Sequence, residues 1–129
     1  MRRNVFFLTI LLLSTALIVQ GCWYVAVGAG AAGAVAYIKG DLEAVEPHDI
    51  DAVYAATKKA VAELGLSVTT DSKDALSAMI VGRDAQDKKV TIKLKKTAEG
   101  TTKLSIRVGT FGSETKSRLI YQQIHDHLQ

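Results

Sequence analysis

Two hydrophobic rhythms run along the chain. Between Ile50 and Leu64, apolar and small residues recur at steps of three and four: Ile50, Val53, Ala56, Thr57, Ala60, Val61 and Leu64. That spacing gathers them on one stripe of a helix. Asp49 stands at the cap position before the stripe, and Gly65 stands where a C′ residue ends a helix. Beyond Gly65 the period falls to two. Leu66 and Val68 alternate with Ser67 and Thr69 in a short strand ending near Asp71. Ala75 to Arg83 is a second strand, carrying Leu76, Met79, Ile80 and Val81. Val90, Ile92 and Leu94 then alternate with Thr91, Lys93 and Lys95, and Leu104, Ile106 and Val108 with Lys103, Ser105 and Arg107. Such alternation predicts antiparallel strands with one dry and one wet face.

The punctuation agrees with these elements. Asp84-Ala85-Gln86-Asp87 and Ala98-Glu99-Gly100 supply turns, and Gly109 to Gly112 breaks the alternation. Ser113 is the cap candidate for a last helix from Glu114 to His127, bearing Leu119, Ile120, Ile124 and Leu128. Ahead of the first helix, Asp41 to Glu46 reads as a short edge strand with Leu42 and Val45 as its apolar members, closed by Pro47. The order β-α-β-β-β-β-α predicts an α+β fold: a two-layer sandwich in which both helices cover one face of an antiparallel, meandering sheet. Val90, Ile92, Leu94, Leu104, Ile106 and Val108 form its inward rows.

The N-terminus follows neither rhythm. Arg2 and Arg3 precede an uncharged apolar run from Val5 to Val19, which ends in Leu17-Ile18-Val19-Gln20-Gly21-Cys22. The run is shorter than the ~20 residues of a comfortable transmembrane helix and fits a signal-peptide h-region of ~7–15. A small residue before cysteine resembles the bacterial lipobox. Cleavage between Gly21 and Cys22 would leave Cys22 as an acylated N-terminus, carrying diacylglycerol and a further chain such as palmitate. Cys22 is the only cysteine, so an intrachain disulfide is excluded. The expected organisation is a signal peptide over 1–21, an acylated Gly/Ala-rich tether over 22–39, and a small α+β domain over 40–129. Trp23 occupies the position where Gram-negative sorting reads Asp as an inner-membrane retention signal. For a Gram-negative source, its presence directs the expectation to the outer membrane, facing the periplasm.

Charge alters this picture little. The 129 residues carry 16 Lys and Arg against 13 Asp and Glu, and without Arg2 and Arg3 the balance is 14 against 13. A domain this close to neutral is not expected to bind nucleic acid. Gly28, Gly30 and Gly33 match G-x-G-x-x-G, but no βαβαβ series follows them, so no dinucleotide cofactor is expected. Val25 to Ile38 reads instead as a tether, with spacings such as Gly30 to Ala34 that permit self-association.

The histidines do not compose a metal site. His125 and His127 diverge by about 200° on a helix, and His48 stands among Glu46, Asp49 and Asp51, acids that suit a helix start. Asp71 and Asp74 flank a turn, no G-x-S-x-G elbow is present, and no enzyme activity is expected.

One arrangement is more suggestive. Thr91, Lys93 and Lys95 should share the outer sheet face with Lys103, Ser105 and Arg107, giving four positive charges with hydroxyls between them. It reads either as a solvated face that keeps the sheet soluble or as a platform for an anionic envelope component or an acidic protein patch.

Several separated blocks resemble a known family. They are the lipobox, the Gly/Ala stretch, Val53-Tyr54-Ala55-Ala56-Thr57, Ala60 to Leu66, Asp74-Ala75-Leu76-Ser77, Val90-Thr91-Ile92-Lys93-Leu94 and Ser105 to Gly112. Together they resemble the small bacterial lipoproteins catalogued as domain of unknown function 3568. The resemblance implies an envelope lipoprotein and supplies no catalytic residues. The expected function is a non-catalytic, periplasm-facing lipoprotein that binds or scaffolds an envelope partner. The alternatives are a homo-oligomeric membrane component packed through the Gly/Ala segment, and a dinucleotide-binding enzyme using Gly28, Gly30 and Gly33.

Overall fold

The apolar stripe of the first helix and the alternating strands find one another in a single core. A computed structural model describes residues 35–129. In chain order these form β1 (Val35–Ile38), β2 (Asp41–Glu46), α1 (Ile50–Glu63), β3 (Ser67–Lys73), β4 (Ser77–Arg83), β5 (Lys89–Ala98), β6 (Thr101–Val108) and α2 (Glu114–Asp126). The six strands make one antiparallel sheet in the spatial order β1-β2-β6-β5-β4-β3, and both helices pack on the same side of it. The expected α+β class and two-layer arrangement are what the chain adopts.

The helix stripe behaves as its spacing dictates. Ile50, Val53, Ala56, Thr57, Ala60 and Val61 are buried, with Leu64 packed at the margin. Leu64 is the C-cap and Gly65 follows at φ +66°, a left-handed conformation that suits glycine. The six inward residues of β5 and β6 are all buried, and Leu42, Ala44, Ala78, Ile80, Ile120 and Ile124 complete the core. Residues 35–129 thus form a compact unit enclosing a continuous core of their own.

Four local expectations are corrected. Asp49 and Ser113 occupy cap positions without making side-chain cap bonds; Asp49 Oδ1 instead accepts from the Gly100 amide at 3.2 Å, joining the start of α1 to the β5–β6 turn. Leu76 lies in the β3–β4 turn, 65% exposed, because β4 begins only at Ser77. Leu119 is 56% exposed, and Ser117 fills the buried position on α2 instead.

The fourth correction concerns the N-terminal edge. β2 lies inside the sheet: β1 pairs along one side of it and β6 along the other. The last part of the stretch read as a tether, Val35–Ile38, is therefore strand, with Val35 and Tyr37 packed against the core. Consecutive strands β2 and β3 stand far apart in the sheet, bridged by α1, while β3 to β6 meander back to β2. Among the described residues no helix is long and apolar enough to cross a membrane.

Candidate functional site

The alternation of β5 and β6 converges on the uncovered face of the sheet. Their register sets Thr91 opposite Arg107, Lys93 opposite Ser105, and Lys95 opposite Lys103. All six residues expected to share a face do so, because their neighbours Val90, Ile92, Leu94, Leu104, Ile106 and Val108 point into the core.

The charge of the face differs from the expectation. β2 brings Asp41 and Glu43 to the same side, next to β6. Arg107 donates from Nε to Asp41 Oδ1 at 2.6 Å, and Lys103 Nζ lies 3.0 Å from Glu43 Oε2. The hydrogen bond from Arg107 holds the Asp41 carboxyl below its ordinary value, with weaker attraction from Lys93 in the same direction. Two of the four cations are thus neutralised. Lys93 and Lys95 remain without an ion-pair partner among the described residues.

Those two lysines lie at the middle of an open surface with a depression toward each end. One, of about 810 Å³, is lined by Met79, Val81, Thr91, Lys93, Ser105 and Arg107 among others. The second, of about 1060 Å³, adds Leu76, Lys95 and Lys103 and shares Met79, Lys93 and Ser105 with the first. The surface therefore offers lysines and hydroxyls beside the apolar side chains of β4, a combination suited to an anionic partner with some apolar surface. Asp41 and Glu43 were the residues missed. Their alternation with Leu42 and Ala44 is legible in the sequence, but their place beside β6 depends on strand order.

A second polar cluster lies on the helix side. Glu46 ends β2 pointing inward and is 0% exposed. His125 Nδ1 lies 3.3 Å from both carboxylate oxygens, and Tyr121 stacks on the His125 ring. Burial, and then the hydrogen bond to Glu46, push the Tyr121 phenol well above its ordinary value. This cluster fastens the C-terminal half of α2 over β2. The buried Ser117 stands eight residues earlier on the same helix, about 12 Å along its axis, too far to share a reaction with His125.

The other candidates disperse. His127 meets Glu63 at 2.9 Å, and Thr102 Oγ1 donates to the His48 carbonyl at 2.9 Å. Asp51 pairs with Lys73, while Asp71 accepts from the Tyr54 hydroxyl and pairs with Lys58. Asp74 accepts two backbone amides and the Ser77 hydroxyl, as a turn aspartate should. Among the described residues no three His, Cys, Asp or Glu side chains gather closely enough to hold a metal ion. Gly21, Cys22, Gly28, Gly30, Gly33 and the segment from Val25 to Ala34 lie outside the described residues.

These features define a class: a small two-layer α+β domain with its helices on one side and an open, charged sheet face on the other. Residues 4–127 match the family described as "Protein of unknown function (DUF3568)", and the chain belongs to that family. No curated protein matches the chain.

Proposed function

We propose that this protein is a non-catalytic lipoprotein of the bacterial cell envelope. It is held to the membrane by acyl chains on Cys22, faces the periplasm from the outer membrane, and uses its open sheet face to hold an anionic envelope partner. The reading of the anchor rests on Arg2 and Arg3, the apolar run and Gly21-Cys22. The reading of the face rests on one observation: among the described residues Lys93 and Lys95 lack ion-pair partners at the centre of the surface, whereas Lys103 and Arg107 are engaged by Glu43 and Asp41.

Two measurements test the two halves separately. The intact mass of the N-terminal tryptic peptide from membranes should show Cys22–Lys39 bearing diacylglycerol; an unmodified peptide beginning at Asn4 would overturn the anchor. Crosslinking in intact membranes should yield a partner adduct that Lys93→Glu/Lys95→Glu removes. An adduct unchanged in that variant would overturn the role of the face. Arg107 is left intact in this test because its guanidinium also supports the fold.

A further inference from the structure

One end of the sheet, where the β1–β2 turn meets the connection from β6 to α2, is built unlike the other. Phe111 is 92% exposed in that connection. One exposed apolar side chain is ordinary in itself. Here the backbone that presents it is locked. Arg107 donates to Asp41, to the Lys39 carbonyl at 2.9 Å and to the Thr110 carbonyl at 3.3 Å, so one guanidinium joins the hairpin turn to the residue before Phe111.

Behind Phe111 two backbones press together. A Cβ at Gly40 would lie 2.6 Å from the Phe111 carbonyl oxygen, and one at Gly112 would overlap Gly40 and the Tyr37 hydroxyl. Only glycine permits this approach at these positive φ values. The backbone that carries Phe111 is thus already ordered in the fold, so docking need not order it.

The charge around the ring has one sign available. Lys88 and Lys89 line the same 510 Å³ depression as Phe111, and Lys39 forms the adjoining turn. These three lysines have no ion-pair partner among the described residues, while the nearby acids Asp41, Asp84 and Asp87 are engaged by Arg107, Lys116 and Arg83. An exposed aromatic ring ringed by lysines matches the interface of an anionic bilayer, where the ring enters the headgroup–acyl boundary and the ammonium groups meet phosphates. Ile38, half exposed just before the turn, extends the apolar contact.

We propose that this end of the domain docks on an anionic phospholipid bilayer, with Phe111 inserted and Lys39, Lys88 and Lys89 on the headgroups. The choice of occupant rests on the anchor reading above: twelve residues separate Cys22 from Val35, which limits their separation to about 45 Å and keeps a bilayer within reach. Docking by the end of the sheet engages Lys89 at the margin of the open face and leaves its central lysines, Lys93 and Lys95, free for a partner.

The test uses residues 22–129 with Cys22→Ser, so that acylation plays no part in the result. This protein is mixed with vesicles of phosphatidylethanolamine and phosphatidylglycerol, and with neutral phosphatidylcholine vesicles. It should co-sediment with the anionic vesicles, less so at high salt. Phe111→Ala should weaken partition about tenfold or more, and Lys88→Glu or Lys89→Glu about fivefold or more each. Lys59→Glu, on α1 across the core, controls for net charge and should have a smaller effect.

Partition unchanged by Phe111→Ala, or absent altogether, would overturn the proposal. So would a concentration-dependent dimer that Phe111→Ala dissolves without any vesicle binding, which would assign the ring to a second copy of the chain. Failure here with an acylated Cys22 peptide leaves the anchor standing; an unacylated peptide with vesicle binding intact overturns the anchor alone.

Discussion

The two faces of the β2–β6–β5 strands use the same backbone for opposite purposes. On the helix side, Leu42, Leu104, Ile106 and Ile92 are held by shape, each almost wholly removed from water. On the open side, Asp41, Glu43, Lys103 and Arg107 are held by pairing, and Lys93 and Lys95 have no ion-pair partner among the described residues. Glu43 and Glu46 show the contrast within one strand. Glu43 meets Lys103 in partial contact with water, whereas Glu46 is sealed under α2 with His125 and Tyr121. Burial makes the first face intolerant of change, while exposure leaves the second free to be shaped by binding.

Substitutions should separate the faces most widely in the core. Leu104→Ala or Ile106→Ala should cost about 2–5 kcal/mol, since the cavity cannot be filled from helices already in contact. Ser105→Ala, between them in sequence and on the other face, should fall within about 0.5 kcal/mol. Urea denaturation measures both, and equal losses would dissolve the distinction between the faces. Next in size, Glu46→Ala should cost about 1–3 kcal/mol by stranding the Tyr121 hydroxyl and the His125 ring, against about 0.2–1 kcal/mol for Glu43→Ala. A Glu46 variant no worse than the Glu43 variant would show that the buried cluster contributes nothing net.

Titration sharpens the comparison at both extremes of pH. Asp41, Asp74 and Asp84 are held below their ordinary value of 3.8, Asp41 chiefly by Arg107, Asp74 by the Leu76 amide and Asp84 by Lys116. A carboxyl depressed in the folded state stabilises it above the unfolded value. That contribution disappears as pH falls through the folded value. The urea midpoint should therefore drop below about pH 4, and Asp41→Asn should reduce the drop by removing one of the groups. Tyr121 has the opposite sign. Its raised phenol value stabilises the fold below the unfolded value of 10.0, a contribution lost as pH rises above it. An alkaline loss of stability that persists undiminished in Tyr121→Phe would remove Glu46 and Tyr121 from the account of that limb.

Much of the covered face was legible from residue spacing. The stripe from Ile50 to Val61 and the inward rows of β5 and β6 are buried as their periods dictate. That Lys93 and Ser105 share the outer face was also legible from the alternation, but their register was not: the Glu99-Gly100 turn alone would set Lys93 opposite Ile106, and an irregularity between Lys96 and Ala98 shifts the pairing by one residue. What escaped the sequence was non-local. Nothing in Asp41 to Glu46 says that it lies beside β6, so neither the neutralisation of Arg107 and Lys103 nor the burial of Glu46 was visible. Val35–Ile38 escaped because its small and apolar residues continue the preceding Gly/Ala composition without a break. Leu119 was misplaced because Ser117, a polar residue, holds the inward position that an apolar pattern would have marked.

The smallest expected change in stability comes from the residues proposed to matter most for binding. Lys93→Gln and Lys95→Gln remove exposed cations that hold no ion pair among the described residues, so each should change the unfolding free energy in urea by less than about 0.5 kcal/mol. Lys103→Gln removes an engaged cation and should cost slightly more, up to about 1 kcal/mol. In partner crosslinking the order should reverse. Lys93→Gln and Lys95→Gln should lose more adduct than Lys103→Gln, because Glu43 already satisfies the Lys103 ammonium while the central lysines are free to meet an anion. That inversion between stability and capture separates a binding face from a merely solvated one: a solvated face predicts small stability effects at all three positions and no ordered loss of capture at any of them.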